Sequence, residues 1–331
     1  MASEGHLIES IRKRFASMPI GPLVKDGLRV GIGDDAAVLR PSAGSEWVVT
    51  TDAFLEKVHF LRKVHEPAAV GYKALARATS DIAAMGARPR YFFLSLGLPE
   101  SCAGKWFDEF TKEMARAARE FGLILAGGDT TKYPEVIITL TVLGETKGGR
   151  AILRSGAKPG DLLCVSGRLG EAELGLRLIL RNARNRERWP KLVKKHFHPQ
   201  PRLALGEWLA SHRYATSMID TSDGLSTDLS HICKASGVGA RVWAEKIPTV
   251  RMPPELSSLK LSPLDLAIHG GEDYELLFTV PGKFSSRLPR EIAKIPVTVI
   301  GEITREKKMI LVGADGKTQP FLPLGWDPFR Q

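Results

Sequence analysis

The chain contains no apolar run close to the roughly 18 residues that a membrane span needs, so no transmembrane helix is expected. Residues 1–15 mix charges with Leu7, Ile8 and Ile11 and lack an apolar h-region, which predicts an amphipathic helix and not a secretion signal. Cysteine is scarce: Cys102, Cys164 and Cys233 are scattered and form no CxxC pair. That argues against a cysteine-built zinc site and fits a reducing cytoplasm. No GxxxxGK[ST] loop, HRD, DFG, GxSxG or HExxH occurs. A P-loop, a protein-kinase site, a serine-hydrolase elbow and a zincin helix are thereby excluded.

What is plentiful is positive charge, +10 in 331 residues. Much of it is local, since residues 181–198 hold seven Lys or Arg (Arg181, Arg184, Arg186, Arg188, Lys191, Lys194, Lys195) against the single acid Glu187. A nucleic-acid surface would spread over a face with aromatic residues for stacking, and only Trp189 and Phe197 accompany this run. The segment reads as a solvated helix end and loop. Nucleic acid is not an expected partner, although a polyanion-binding module stays open as an alternative.

The hydrophobic fraction of 43% supplies a sizeable core, and the length favours two domains. The first half alternates strands and helices. Residues 46–51 read as a strand entering a turn at Asp52, residues 68–85 as a helix stopped by Gly86, and residues 91–98 as a strand. Phe107, Phe110, Met114, Ala118 and Phe121 recur at helical spacing, so residues 105–121 predict a helix ended by Gly122. A short strand at 123–126, a turn at 127–132 and a strand at 135–143 follow. Gly- and Pro-rich punctuation at 148–158 marks the boundary. Beyond it, strands are expected at 161–166, 217–220, 274–280, 297–302 and 309–312, with helices at about 170–181 and 225–235. Each half is mixed α/β.

Acids recur in Gly/Ser/Thr-rich stretches: Gly31-Ile32-Gly33-Asp34-Asp35, Thr50-Thr51-Asp52, Thr79-Ser80-Asp81, Gly127-Gly128-Asp129-Thr130-Thr131, Asp220-Thr221-Ser222-Asp223-Gly224 and Gly270-Gly271-Glu272-Asp273. Two carboxylates 4 Å apart repel by about 4 kcal/mol at an effective dielectric of 20, so converging acids would need a cation among them. Oxygen donors of this kind suit Mg²⁺, which usually arrives with phosphates. Each turn taken alone has an equally good structural reading, whereas the small neighbours of Asp81 in its Ala-rich helix suggest that a backbone or ligand packs closely there. Asp223 could cap a helix, Asp129 could make an Asx turn, Asp81 could pair with Arg77 one turn earlier, and His59 could be structural.

Taken together and in this order, these stretches resemble the thiamine-monophosphate kinases, relatives of aminoimidazole ribonucleotide synthetase. Also matching are His59-Phe60, Tyr72-Lys73-Ala74-Leu75, Ser80-Asp81-Ile82-Ala83-Ala84-Met85-Gly86-Ala87, Arg154-Ser155-Gly156-Ala157-Lys158-Pro159-Gly160-Asp161 and Glu272-Asp273-Tyr274-Glu275-Leu276. The resemblance implies a mixed α/β fold of two domains: residues 1–148, binding magnesium and ATP and forming a homodimer, and residues 149–331, completing the ATP and substrate site. It implies ATP-dependent phosphorylation of thiamine monophosphate with several Mg²⁺ ions. By position, Asp35, Thr50, Thr51, Asp52, Asp81 and Asp129 would hold metal from the first domain, and Asp220 and Asp223 from the second. Gly128, Asp129, Arg154 and Ser222 would contact ATP; His59, Glu272 and Trp326 would hold the thiamine moiety. Thr221 departs slightly from the family pattern, and the tail around Trp326 matches weakly.

The acceptor in such a reaction is itself a phosphate, anionic near neutral pH, so no general base is expected. Of the neighbouring activities, a selenophosphate synthetase would need a reactive cysteine in an N-terminal loop, whereas Cys102 comes first here. A hydrogenase-maturation relative would end in cysteine, whereas this chain ends Pro328-Phe329-Arg330-Gln331.

Overall fold

The computed structural model describes residues 4–16, 27–30, 38–182 and 184–329. The chain divides into two compact units, residues 1–82 with 87–149, and residues 83–86 with 150–331.

In the first unit β1 (Leu28–Val30) pairs with β2 (Val38–Leu39), and the main body is a four-stranded sheet of β3 (Ser45–Leu55), β4 (Arg88–Leu98), β5 (Ile124–Lys132) and β6 (Ile137–Lys147), in the order β3-β6-β4-β5. Only the β4/β5 pair is parallel. Alternate residues of these strands point to opposite faces. One face carries Phe54, Ile138, Leu140, Val142, Leu94 and Leu96, all buried. Helix Pro67–Ala84 lies on it, with Ile82 so close to Gly144 that a Cβ there would sit 2.5 Å from the Ile82 methyl. Helix Lys105–Phe121 packs in turn on Pro67–Ala84, burying Phe107, Phe110, Met114, Ala118 and Phe121 as their spacing predicts. Gly122 ends it in the left-handed region at φ +73°. Leu39 and Trp47 cover one end of the other face. Val49, Thr51, Ala53, Ser95 and Asp129 on that face are exposed.

Two expected turns are strand. Residues 127–132 continue β5, and β3 runs straight through Asp52. The Gly127-Gly128 pair serves the sheet: a Cβ on Gly128 would overlap the carbonyl of Leu94 on the neighbouring strand. A bulge opposite Phe92/Phe93 absorbs the irregularity.

The second unit has a larger sheet in the order β14-β13-β9-β12-β7-β10-β8, namely Thr318–Pro320, Met309–Val312, Gly239–Trp243, Ile295–Thr304, Leu162–Ser166, Leu276–Val280 and Ser217–Asp220, with the short β11 (Glu291–Ile292) also paired to β12. One core cluster, with Leu163, Val165, Ile219, Leu277 and Ile300, meets Leu225, Leu229 and Ile232 of helix Leu225–Ser236. Another, with Cys164, Met218, Leu276 and Phe278, meets Leu205 and Leu209 of helix Leu203–His212. The expected basic loop is largely helical, at Asn185–Arg188 and Pro190–Phe197, because Val193, His196 and Phe197 are buried. No helix among the described residues is long and apolar enough to cross a membrane.

Candidate active site

In the first unit the acids stand on regular elements. Thr50, Asp52 and Phe54 share one face of β3, opposite helix Pro67–Ala84, from which Arg77 and Asp81 project four residues apart on one helical face. The Thr50 hydroxyl donates to Asp81 Oδ2 at 2.5 Å. Arg77 grips Asp52 with both prongs, Nε to Oδ2 at 2.7 Å and Nη2 to Oδ1 at 2.9 Å, and lies 5.2 Å over the Phe54 ring. One hydroxyl, two carboxylates and one built-in cation therefore meet in a patch that is only part-buried.

Thr51 and Asp129 stand apart from this patch. The Thr51 hydroxyl pairs across the sheet with that of Thr141 at 3.0 Å, on the opposite face from Thr50. Asp129 aligns with Ser95, which aligns with Thr139 and Ala53. It therefore shares that opposite face, three strand spacings or about 14 Å from β3. His59 Nδ1 accepts the Leu55 N–H at 3.0 Å, which leaves Nε2 to carry the proton of the neutral ring. Asp35 lies outside the described residues.

The second unit gathers its residues around the start of helix Leu225–Ser236. Asp220 ends β8 almost fully buried, and the chain then turns through Thr221, Ser222 and Asp223 to Gly224, which takes the N-cap place at φ +110°. Asp223 is thus not the cap. The carboxylate of Asp228 reaches back instead, accepting from the N–H groups of Gly224 at 3.1 Å and Asp223 at 3.3 Å. Burial, then the charges of Asp220 and Asp223, push the Asp228 carboxyl well above its ordinary value.

Two further segments close on this turn. Residues 271–275 run beside it: Glu272 N–H donates to Ser222 O at 2.8 Å and Tyr274 N–H to Thr221 O at 3.0 Å. A Cβ on Gly271 would come 2.5 Å from Ser222 O, so glycine permits the approach. From the tail, Trp326 N–H donates to Asp223 O at 2.9 Å, and Gly325 N–H to Thr227 Oγ1 at 3.1 Å. Ser222, Asp223, Glu272 and Trp326 are therefore neighbours in space. Arg154 is not among them. Its carbonyl accepts from Ser236 at the other end of a helix about 18 Å long.

Sequence reasoning missed the acids that brace this arrangement. Asp273 receives the N–H groups of Gly170 (2.6 Å) and Ala172 (3.0 Å) at the start of helix Glu171–Arg181. Burial lifts its carboxyl to about 7, although those two bonds pull the other way. Glu275, with no exposed surface, takes both prongs of Arg202 and the Ser166 hydroxyl at 2.5 Å. The only advance signal was their place in the Gly-Gly-Glu-Asp-Tyr-Glu run.

Among the described residues no three His, Cys, Asp or Glu side chains form a ready cation cage. Carboxylates in ones and twos, with hydroxyls beside them, are nonetheless the donor set that Mg²⁺ takes when phosphates and water complete its shell. The repulsion felt by Asp228 also favours a cation near Asp220 and Asp223. The residues present fit the ion.

Comparison with known proteins agrees in both halves of the chain. Residues 33–146 match the N-terminal domain of AIR synthase related proteins, and residues 158–313 match the C-terminal domain. The thiamine-monophosphate kinase of Salmonella typhimurium (strain LT2) is 37% identical over 91% of this chain and 92% of its own. A crystal structure of thiamine-monophosphate kinase from Stenotrophomonas maltophilia K279a superposes with TM-score 0.79 at 35% identity, covering 94% of this chain and 96% of that one. AaThiL complexed with AMPPCP and TMP gives 0.76 at 32% identity, covering 98% and 96%. This chain belongs to the thiamine-monophosphate kinase family, within the two-domain proteins related to AIR synthase.

Proposed function

We propose that the chain moves the terminal phosphoryl group of ATP directly onto the phosphate of thiamine monophosphate, with Mg²⁺ held by its carboxylates. As a member of its family it phosphorylates thiamine monophosphate to thiamine diphosphate at the expense of ATP. In the reaction the bond between the β,γ-bridging oxygen and the γ phosphorus breaks, and a bond to a substrate phosphate oxygen forms. That oxygen is already anionic, so no side chain need remove a proton. The difficulty is bringing two polyanions into line, and bound Mg²⁺ supplies the neutralising charge.

The chain's own residues do the rest. Thr50, Asp52 and Asp81 in the first unit, and Asp220 and Asp223 in the second, present oxygen donors to metal. Thr51, Asp129 and Asp35 are proposed ligands from the resemblance alone, and the separation of Asp129 from Asp52 means that one ion cannot serve both. Ser222, Gly128 and Arg154 are assigned to ATP; Glu272, Trp326 and His59 to the thiamine moiety. Glu272 places a carboxylate where a cationic heterocycle can lie, and Trp326, 39% exposed, offers a ring to stack on it. We further infer a homodimer formed through the first unit, because its sheet leaves Val49, Thr51 and Ala53 open on one face. A reducing compartment suits the three cysteines, all free and buried.

The observation that carries this reading is the match, over nearly the whole chain, to a protein solved with AMPPCP and TMP together. An ADP-release assay with Mg-ATP tests it. Turnover is expected with thiamine monophosphate and not with thiamine. Turnover of thiamine alone, or a stable phosphoenzyme formed from labelled ATP, would overturn it.

A further inference from the structure

Helix Pro190–Phe197 lies in the segment whose charges suggest a solvated loop, yet its His196 is only 1% exposed. The ring has a specific neighbour, since Nδ1 lies 3.3 Å from Glu272 Oε2. It stands 5.3 Å from the Phe197 ring, over which Arg186 lies. Its backbone is fixed as well. Gly175 of helix Glu171–Arg181 comes so near that a Cβ there would be 3.2 Å from His196 Cβ. The adjacent Lys195 reaches Glu171 at 3.3 Å and Glu275 at 3.9 Å.

Glu272 is the more exposed partner, with 24% of its side chain open. Its backbone sits at φ +67°, a left-handed region that strains a non-glycine residue. The bond to Ser222 O holds it there. Backbone strain and a buried imidazole thus act on one glutamate, while part of its side chain stays accessible. A free glutamate loses rotamer freedom when it is immobilised. One that is already braced loses less on binding a ligand.

We propose that His196 is a positioning residue: its buried Nδ1 holds the Glu272 carboxylate in the rotamer that receives the cationic heterocycle of thiamine monophosphate. This rests on the reading above that Glu272 touches the substrate. His196 itself meets neither substrate nor ATP, so its influence falls on substrate affinity and not on phosphoryl transfer.

Steady-state kinetics on the full-length chain, varying each substrate separately, test the proposal. His196→Leu should raise KM for thiamine monophosphate about tenfold, the equivalent of roughly 1.4 kcal/mol, with kcat and KM for ATP within about twofold. His196→Asn, whose amide nitrogen takes the place of Nδ1, should restore KM. Glu272→Gln should raise KM by itself, and adding His196→Leu to it should do little more. Should His196→Leu fail to fold, the contrast passes to His196→Asn against His196→Gln, whose nitrogen falls at the wrong reach. Unchanged KM in His196→Leu, or equal KM in the Asn and Gln variants, with Glu272→Gln impaired, overturns the proposal. No effect of Glu272→Gln overturns instead the assignment of Glu272 to substrate.

Discussion

In the first unit an acid is met by a cation, whereas in the second an acid is met by other acids. Asp52 is clasped by Arg77, both partners part-buried. Asp228, almost wholly buried, lies within the fields of Asp220 and Asp223 and is driven toward its neutral form. The Asp52–Arg77 pair is already balanced in charge as folded, whereas the cluster around Asp228 gains most from an added positive ion. Both halves are rich in carboxylates, yet only the geometry of their partners separates a site that supports the fold from one that works against it.

Removing a charge from each half should break the symmetry between them. Asp220→Asn and Asp52→Asn should each lower kcat/KM by about a thousandfold, on the scale of losing a key electrostatic group at a reacting phosphate. Their stabilities should diverge. Asp52→Asn removes the carboxylate that takes both prongs of Arg77 and should lower unfolding free energy by about 1–3 kcal/mol, as read by urea melts. Asp220→Asn relieves repulsion and should leave the metal-free protein as stable as before, or more so. Equal destabilisation of the two variants would remove the distinction.

An effect spread over several pH units concerns Asp273. Its folded carboxyl titrates near 7, above the ordinary 3.8 of the unfolded chain. Below about pH 4 the group is protonated in both states and contributes nothing. As pH rises toward 7 the unfolded state ionises first, so this group costs the fold stability, at up to about 1.4 kcal/mol per pH unit, and the loss levels off above 7. Asp273→Asn should flatten that decline in a series of thermal melts. A wild-type slope kept intact in the variant would show that another group titrates.

Local pattern made much of the fold legible. The 3-4-4-3 spacing gave helix Lys105–Phe121 its true ends, and Met309–Val312 was bounded correctly by its run of apolar residues. The errors arose where a local signal had a distant cause. Gly127-Gly128 looks like a turn, but Gly127 faces the Phe93 ring and Gly128 the carbonyl of Leu94 across a strand pair. The basic run looks like a loop, but it buries His196 against a glutamate 76 positions away. The site divided in the same way. The acids proposed as ligands are picked out by their order along the chain. Their grouping is not: the register places Asp129 on the opposite face from Asp52, and the tail's bond to Asp223 brings Trp326 beside Glu272.

The contrast between the two halves is tested most directly by the thermal midpoint of the full-length chain as Mg²⁺ is added with a non-hydrolysable ATP analogue. A ligand at a hundred times its Kd stabilises a protein by about 2.7 kcal/mol. The wild-type midpoint should rise with Mg²⁺, and Asp220→Asn, starting from an equal or higher metal-free value, should lose most of that rise. A full Mg²⁺-dependent rise in Asp220→Asn would contradict the account.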